Sequence, residues 1–122
     1  MKIAFLFAGQ GVQYVGMGKE IYLQSSTFKN IFDKLPDNIK ELCFYGPEDE
    51  LNKTENAQPA IMVTSLGIAN VLKERGIDCE YSAGLSLGEY SALAYSNAIS
   101  IDDAIEIAFN NIGNKYIMLN KY

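Results

Sequence analysis

The sequence predicts an α/β protein in which a parallel sheet is flanked by helices. A short apolar run at residues 2–7 and a second predicted strand at residues 79–84 each lead into a glycine-containing turn and then into segments with helical periodicity. Strands that alternate with helices form parallel sheets, because each crossover brings the chain back to the same end of the sheet. Two strands are too few for a stable sheet of this kind. We therefore predict an incomplete α/β layer fold.

Each element has its own signal in the chain. The run at 2–7 is apolar at consecutive positions, which indicates a strand buried on both faces. Four glycines within residues 8–18 indicate a loop in which the backbone turns sharply. Ser100 and the two acids after it predict the start of a last helix, with Ser100 as its N-cap. The other helical segments are expected at 19–24, 26–34, 38–45, the single turn 47–51, the long apolar helix 59–75 and the segment 86–95.

Composition excludes several classes of function. The chain has 15 acidic and 10 basic residues, a formal charge of −5, which disfavours binding to nucleic acid or to an anionic membrane surface. No apolar run reaches the ~18–20 residues of a membrane span, and no signal peptide is evident, so we expect a cytoplasmic protein. Cys43 and Cys79 form neither a metal motif nor a disulfide framework, and we expect both to be small core residues.

A G-x-S-x-G run carries the strongest chemical signal. Gly84, Ser86 and Gly88 stand between the second strand and a helix, which is the context that a nucleophile elbow requires. The elbow lifts the serine oxygen above the sheet and places it at a helix N-terminus, where an oxyanion is favoured. The alternative is a plain glycine-rich turn in which Ser86 only caps the helix.

A second glycine loop follows the first strand. Gly9, Gln10 and Gly11 match neither a dinucleotide fingerprint nor a P-loop. In elbow hydrolases the second oxyanion donor comes from a loop after another strand, and the Gln10 peptide N–H suits that role.

Three blocks of the sequence belong together. The first comprises Phe7-Ala8-Gly9-Gln10-Gly11 and Gln13-Tyr14-Val15-Gly16-Met17-Gly18, the second Leu51-Asn52-Lys53-Thr54 and Gln58-Pro59-Ala60, and the third Gly84-Leu85-Ser86-Leu87-Gly88-Glu89-Tyr90-Ser91-Ala92-Leu93. In their order and spacing these blocks resemble the malonyl-CoA:acyl carrier protein transacylase family. The resemblance covers residues 1 to about 108, the front part of an α/β-hydrolase-like acyltransferase subdomain, and leaves a divergent tail at 109–122.

The resemblance implies a serine acyltransferase of fatty acid biosynthesis. Ser86 would accept the malonyl group of malonyl-CoA and pass it to acyl carrier protein through a malonyl-serine ester. The backbone N–H groups of Gln10 and Leu87 would form the oxyanion hole. No metal or other cofactor is implied. The motif glycines that would support this site are Gly9, Gly11, Gly84 and Gly88.

The sequence departs from the family pattern at the residues that complete the chemistry. It contains no histidine, so the family's general base is absent, and Leu85 stands where the family has histidine before the nucleophile. The arginine that would pair with the malonyl carboxylate is also absent, because Arg75, the chain's single arginine, lies on an earlier helix. A serine without its base loses ~10⁴-fold or more in rate, so we expect the isolated chain to be nearly inactive.

Two other functions stay open from the sequence. The chain could be a non-catalytic remnant that docks acyl carrier protein or associates with itself through an exposed sheet edge. It could also be a related serine thioesterase, with Lys115 as a stand-in base. The Asn-, Lys- and Tyr-rich tail at 109–122 suggests a further hypothesis, that the reading frame is interrupted near its start.

Overall fold

The computed structural model describes residues 1–110, which form two strands and seven helices. In chain order the elements are β1 Ala4–Phe7, α1 Lys19–Gln24, α2 Ser26–Phe32, α3 Asp37–Tyr45, α4 Glu48–Leu51, α5 Thr54–Glu74, β2 Tyr81–Gly84, α6 Leu87–Tyr95 and α7 Ile101–Asn110. The predicted tail residues from 111 onward, Lys115 among them, lie outside the described part of the chain.

The two strands pair in parallel, as the sequence predicts. Ala4 lies opposite Tyr81 and Phe7 lies opposite Gly84, so both strands end at the same edge of the sheet. Helix α6 covers one face of this sheet, where the Tyr95 ring contacts the rings of Phe5 and Phe7 at centroid distances of 5.4 and 5.8 Å. The loops that follow β1 and β2 are thereby brought to one place.

The prediction that the first strand is buried on both faces is wrong. Residues of β1 alternate between exposed and covered positions, and Leu6 is 80% exposed. The cause is the small sheet, since within residues 1–110 it has two strands and its second face carries no helix. The apolar run of β1, which the sequence predicts to be covered on both faces, is covered on one face only.

The longest helix begins five residues earlier than the sequence predicts. Helix α5 starts at Thr54, and Pro59 lies inside it. Proline lacks an N–H and its ring crowds the carbonyl one turn before it, which normally disfavours an interior position. At this site Pro59 is fully buried with Ala57 and Ala60, so the apolar surface that it buries offsets the lost hydrogen bond.

Helix α5 is the centre of the core. Phe28 and Phe32 of α2 are fully buried and stacked at a centroid distance of 5.3 Å, and Phe32 stacks in turn on Phe44 of α3. The ring of Phe28 lies directly against Gly67 of α5, where a Cβ atom would come within 2.6 Å of the ring. This aromatic layer joins α2, α3 and α5 into one unit.

Other element ends agree with the sequence to within about three residues. Ser100 caps α7 as predicted, because its Oγ accepts a hydrogen bond from the Asp103 N–H at 3.0 Å. Cys43 is buried in the core as expected, whereas Cys79 is partly exposed. Among the described residues, no helix combines the length and the apolar character needed to cross a membrane.

Candidate active site

Ser86 lies in a strained turn between β2 and α6. Its backbone has φ 57° and ψ −114°, an unusual conformation for a residue with a side chain. The Gly88 N–H donates to the Leu85 carbonyl, and the Glu89 N–H donates to the Ser86 carbonyl, so the turn closes without help from the serine side chain. Ser86 is exposed and its hydroxyl makes no cap bond to α6, which leaves the oxygen free above the helix N-terminus.

Two glycines of the motif are required by close backbone contacts. A Cβ atom on Gly84 would overlap the Gly88 carbonyl, and one on Gly88 would overlap the Phe7 carbonyl at the end of β1. Neither contact leaves room for a methyl group. The glycines therefore allow the elbow to pack tightly against both strands.

The predicted second loop lies beside the elbow. A Cβ atom on Gly9 would be 3.0 Å from the Leu85 carbonyl oxygen, so the two loops are in contact at that point. Gly11 has φ 115°, and its N–H donates to Gln13 Oε1 at 2.9 Å. No acceptor for the Gln10 peptide N–H is found within residues 1–110. Of these two N–H groups, the one at Gln10 remains available to a ligand.

Side chains from the start of α5, and from Asn52 just after α4, anchor this loop, a role that the sequence did not predict for them. Gln10 Nε2 donates to Thr54 Oγ1 at 3.0 Å, and Gln58 Nε2 lies 3.5 Å from Gln10 Oε1. Gln13 Nε2 donates to Asn52 Oδ1 at 3.0 Å. Two signals were available in the sequence: Gln58 is a polar residue in an otherwise apolar run from 57 to 63, and Asn52, Thr54 and Gln58 all belong to the second block of the resemblance.

Leu87, whose N–H the resemblance implies as the other oxyanion donor, lies at the start of α6. Leu87 is the first residue of α6, and the first N–H groups of a helix have no acceptor within that helix. Its side chain is buried, so the residue is held in place. The helix dipole adds a partial positive charge at the same end.

Tyr95 holds the C-terminal end of α6 in place. Its hydroxyl donates to Asp78 Oδ1 at 2.5 Å, in the loop before β2. Burial, and next the hydrogen bond to Asp78, raise the pKa of Tyr95 well above its usual range, while the bond from Tyr95 lowers the pKa of Asp78. Tyr95 therefore stays neutral and acts as a structural donor.

The residues that would complete the chemistry are not supplied by this chain near Ser86. The sequence has no histidine. Arg75 follows the C-terminal end of α5, whereas the Gln10 loop contacts the N-terminal end, and a helix of 21 residues spans about 30 Å. Cys43 offers no alternative nucleophile, because burial raises the pKa of its thiol to about 12.

An exposed serine with a strained backbone lies between a parallel strand and a helix, with a second loop beside it, which is the arrangement that the elbow motif predicts. The sequence model of the acyl transferase domain family matches residues 4–113, and the chain belongs to that family. The sheet and flanking helices are thus an incomplete form of the acyltransferase fold.

Within that family the chain is similar to malonyl CoA-acyl carrier protein transacylases. It is 48% identical over 108 residues to the protein of Bacillus subtilis (strain 168), a match that covers 85% of this chain and 34% of the relative. The crystal structure of the transacylase from Clostridium perfringens is 47% identical, with a TM-score of 0.83, and the match covers 89% of this chain and 36% of that one.

A further solved relative is a malonyl-transacylase in complex with its type II PKS acyl-carrier protein. It is 35% identical with a TM-score of 0.83, and the match covers 90% of this chain and 37% of that one. The chain thus spans about a third of the length of the relatives that it matches. The family match at residues 4–113 includes all but the first three of residues 1 to about 108, over which the sequence predicts the resemblance.

Proposed function

We propose that Ser86 is the nucleophile of an acyltransferase site that moves a malonyl group from malonyl-CoA to acyl carrier protein in fatty acid biosynthesis. The observation that carries the proposal is the backbone of Ser86, with φ 57° in an exposed turn between β2 and α6. Strain of this kind persists where the surrounding structure enforces it, and it clusters at active sites. The similarity to named transacylases supports the choice of acyl group and carrier.

The reaction has two transfer steps at one oxygen. Ser86 Oγ attacks the thioester carbonyl of malonyl-CoA, the C–S bond breaks, and the CoA sulfur leaves with the proton from the serine. The thiol of the carrier then attacks the malonyl ester, the C–O bond breaks, and the proton returns to Ser86. Dividing the transfer in this way lets one site serve both thiols.

The oxyanion formed in each step would be held by the peptide N–H groups of Gln10 and Leu87. Each donor of this type contributes about 3 kcal/mol to the transition state. The Gln10 donor depends on the loop held by Thr54 and Gln13, and the Leu87 donor depends on the start of α6. In this proposal Gly9, Gly11, Gly84 and Gly88 keep the two loops close enough to act together.

The proton must be accepted by a base that this sequence does not contain, since it has no histidine. An oxyanion hole and a serine without a base retain about 10³–10⁴-fold catalysis over water, far below a complete triad. We therefore expect slow malonylation of the isolated chain. Neither metal nor cofactor has a part in the proposed steps, and we place the reaction in the cytoplasm.

Incubation of the chain with malonyl-CoA, followed by intact-mass analysis and peptide mapping, tests this proposal. We expect slow addition of one malonyl group at Ser86, loss of that product in Ser86→Ala, and no change in the matched control Ser96→Ala. Ser96 is an exposed serine at the opposite end of α6. Equal labelling of the Ser86→Ala variant contradicts the proposal, and rapid labelling of the unaltered chain contradicts the expected need for an external base.

Self-association is a second, non-catalytic candidate, and one observation favours it. The exposed residues of β1 and β2 are apolar, and apolar surfaces without a covering layer tend to associate. We propose that the isolated chain self-associates through this part of the sheet. Sedimentation that gives a monomer at all protein concentrations contradicts this candidate.

A further inference from the structure

The junction between α4 and α5 supports the loop that carries the proposed Gln10 donor. Gln10 Nε2 donates to Thr54 Oγ1, and Gln13 Nε2 donates to Asn52 Oδ1, each at 3.0 Å. The proposed reaction steps give Asn52 no role, although it belongs to the second block of the resemblance. The two bonds together tie the loop to one short stretch of chain.

The junction itself is held firmly by the core. The Leu51 side chain is fully buried, and the Asn52 N–H donates to the Glu48 carbonyl at 2.9 Å. Asn56 Nδ2 donates to the Glu50 carbonyl at 2.8 Å, which joins the start of α5 back to α4. A side chain that extends from such a support is held more precisely than one on a free loop. Asn52 therefore offers the loop an acceptor in a fixed place.

The chemistry of the donors and acceptors fixes how the Gln13 side chain is oriented. A peptide N–H only donates, so the Gln13 atom that lies 2.9 Å from the Gly11 nitrogen must be the carbonyl oxygen Oε1. The amide nitrogen of Gln13 then faces Asn52, which must present its own oxygen. Each bond thus determines the next, and Asn52 holds the Gly11 N–H through Gln13. We call Asn52 and Gln13 the amide relay.

The amide relay decides which N–H of the loop is left for an oxyanion. The Gly11 N–H is taken by Gln13, whereas the Gln10 N–H has no acceptor within residues 1–110. Gly11 has φ 115°, a conformation that its lack of a Cβ atom permits but does not enforce. Without a bond at the Gly11 N–H, the peptide between Gln10 and Gly11 would turn more freely, and the Gln10 N–H would lose its fixed direction.

We infer that Asn52 and Gln13 are positioning residues for acyl transfer at Ser86, and that Asn52 acts entirely through Gln13. The inference rests on the proposed function, since it concerns the direction of the Gln10 donor. A preorganised donor stabilises an oxyanion only when it is aimed at the place where the charge develops. A displacement of ~1 Å at a reacting centre can cost about 10²-fold in rate.

Variants of the full 122-residue chain test the inference through the rate at which Ser86 is malonylated. Asn52→Leu removes the acceptor for Gln13 Nε2, whereas Asn52→Asp keeps an oxygen acceptor at that position. Asn56→Leu is the matched control, because it removes a side-chain bond at the same junction that does not reach the loop. Intact-mass analysis at increasing malonyl-CoA concentrations gives the maximal rate and the half-saturating concentration for each variant.

We expect Asn52→Leu to lower the maximal rate about tenfold and to leave the half-saturating concentration unchanged, because a misdirected donor weakens the transition state and not substrate binding. Asn52→Asp should retain the maximal rate to within about twofold, since a carboxylate accepts the same bond. Asn56→Leu should retain the rate of the unaltered chain. Gln13→Met should reproduce the loss, and its combination with Asn52→Leu should add nothing further, because both changes break one relay.

Exchange of individual amide protons with water, measured by NMR, reports on the loop without any reaction. In the unaltered chain the Gly11 N–H should exchange more slowly than the Gln10 N–H, because only the Gly11 N–H is bonded. Asn52→Leu and Gln13→Met should remove this difference, and Asn56→Leu should preserve it. Circular dichroism checks that every variant folds.

The two measurements separate the amide relay from the proposed function. An unchanged maximal rate in Asn52→Leu overturns the inference, as does an equal loss in Asn56→Leu or in Asn52→Asp. If the unaltered chain is not malonylated at Ser86, the proposed function is contradicted, and the exchange of the Gly11 N–H decides whether the amide relay holds the loop. Fast exchange of that N–H in the unaltered chain then overturns the relay, and slow exchange that Asn52→Leu removes supports it.

Discussion

The aromatic helical layer and the two-stranded sheet differ in how completely each is covered. Phe28, Phe32 and Leu66, at the contacts of α2 with α5, are fully buried. In the sheet every second residue is exposed, and Leu6 is exposed by 80%. The helical layer therefore satisfies its apolar surface within this chain, whereas the sheet does not.

The difference shows that the part carrying the candidate chemistry is not the part that stabilises the fold. Ser86 holds a backbone conformation that costs on the order of 1–3 kcal/mol. That cost is offset by the packing of α6 in the core, where the apolar side chains of Leu87 and Ala94 are almost fully buried. A site of this kind can keep its shape while the sheet below it stays half-covered.

The largest expected effect comes from removing an aromatic ring from the helical layer. Phe28→Ala deletes a fully buried side chain that stacks on Phe32 and contacts Gly67. Changes of this type cost about 3–5 kcal/mol, which is a large share of the stability of a small domain. We expect urea-induced unfolding to show this loss in the whole chain, including the sheet.

Leu23→Ala is the control, because Leu23 is 75% exposed and its truncation should cost less than about 0.5 kcal/mol. If Phe28→Ala unfolds the helices while amide exchange in β1 and β2 stays slow, the sheet is stable without the helical layer. That result would contradict the conclusion that the helices, and not the sheet, stabilise the fold.

A smaller loss of stability should distinguish Ser86, which precedes α6, from Ser100, which precedes α7. Ser100 Oγ accepts the Asp103 N–H at 3.0 Å, while Ser86 makes no such bond. Ser100→Ala should lose about 1 kcal/mol, the usual cost of removing an N-cap. Ser86→Ala should lose much less, because its side chain caps nothing.

Thermal unfolding of both variants under one condition measures this difference. A loss for Ser86→Ala as large as that for Ser100→Ala would mean that Ser86 is an ordinary cap, the alternative that the sequence left open. Retained stability in Ser86→Ala together with lost malonylation would place the residue in the chemistry alone.

The sequence predicted the parts of the fold that depend on near neighbours. The helix bounds, the Ser100 cap and the turn at Ser86 follow from residues within one or two turns of each other. The start of α5 was missed, because the cost of Pro59 is offset by core contacts that lie far away in sequence. The exposed side of β1, where Leu6 lies, was missed for the same reason, since apolar residues do not reveal whether a covering layer is present.

The candidate site also contains features that a local motif predicts and features that depend on residues far apart in the sequence. Ser86 and its glycines were found from a local motif, and the structure brings Gly9 of the second loop to Leu85 of the elbow. The bonds from Gln10 to Thr54 and from Gln13 to Asn52 join residues 44 and 39 positions apart. No short pattern encodes such pairs, so the anchoring of the loop could be described only from the structure.

The smallest expected effect lies at the rim of the helical layer and depends on pH. Hydrogen bonds from Lys29, then from Tyr22, and further Lys40 lower the pKa of Asp33 from 3.8 to about 2. A carboxyl with a depressed pKa stabilises the folded state above its unfolded pKa, and that stability is lost as the pH falls from about 4 to 2. Exposed ion pairs contribute only about 0–1 kcal/mol, so we expect a modest shift.

Thermal unfolding of Asp33→Asn between pH 5 and pH 2 tests this expectation. The variant should be slightly less stable than the unaltered chain at pH 5, and the difference should shrink as the pH falls towards 2, because the carboxylate that accepts these hydrogen bonds becomes protonated. Glu106→Gln removes an exposed carboxylate that forms no ion pair within residues 1–110, and its difference from the unaltered chain should not follow that pattern. If the unfolding temperatures of Asp33→Asn and of the unaltered chain change in parallel with pH, the ionised Asp33 carboxylate does not stabilise the helical layer. The stability of that layer would then come from its buried rings.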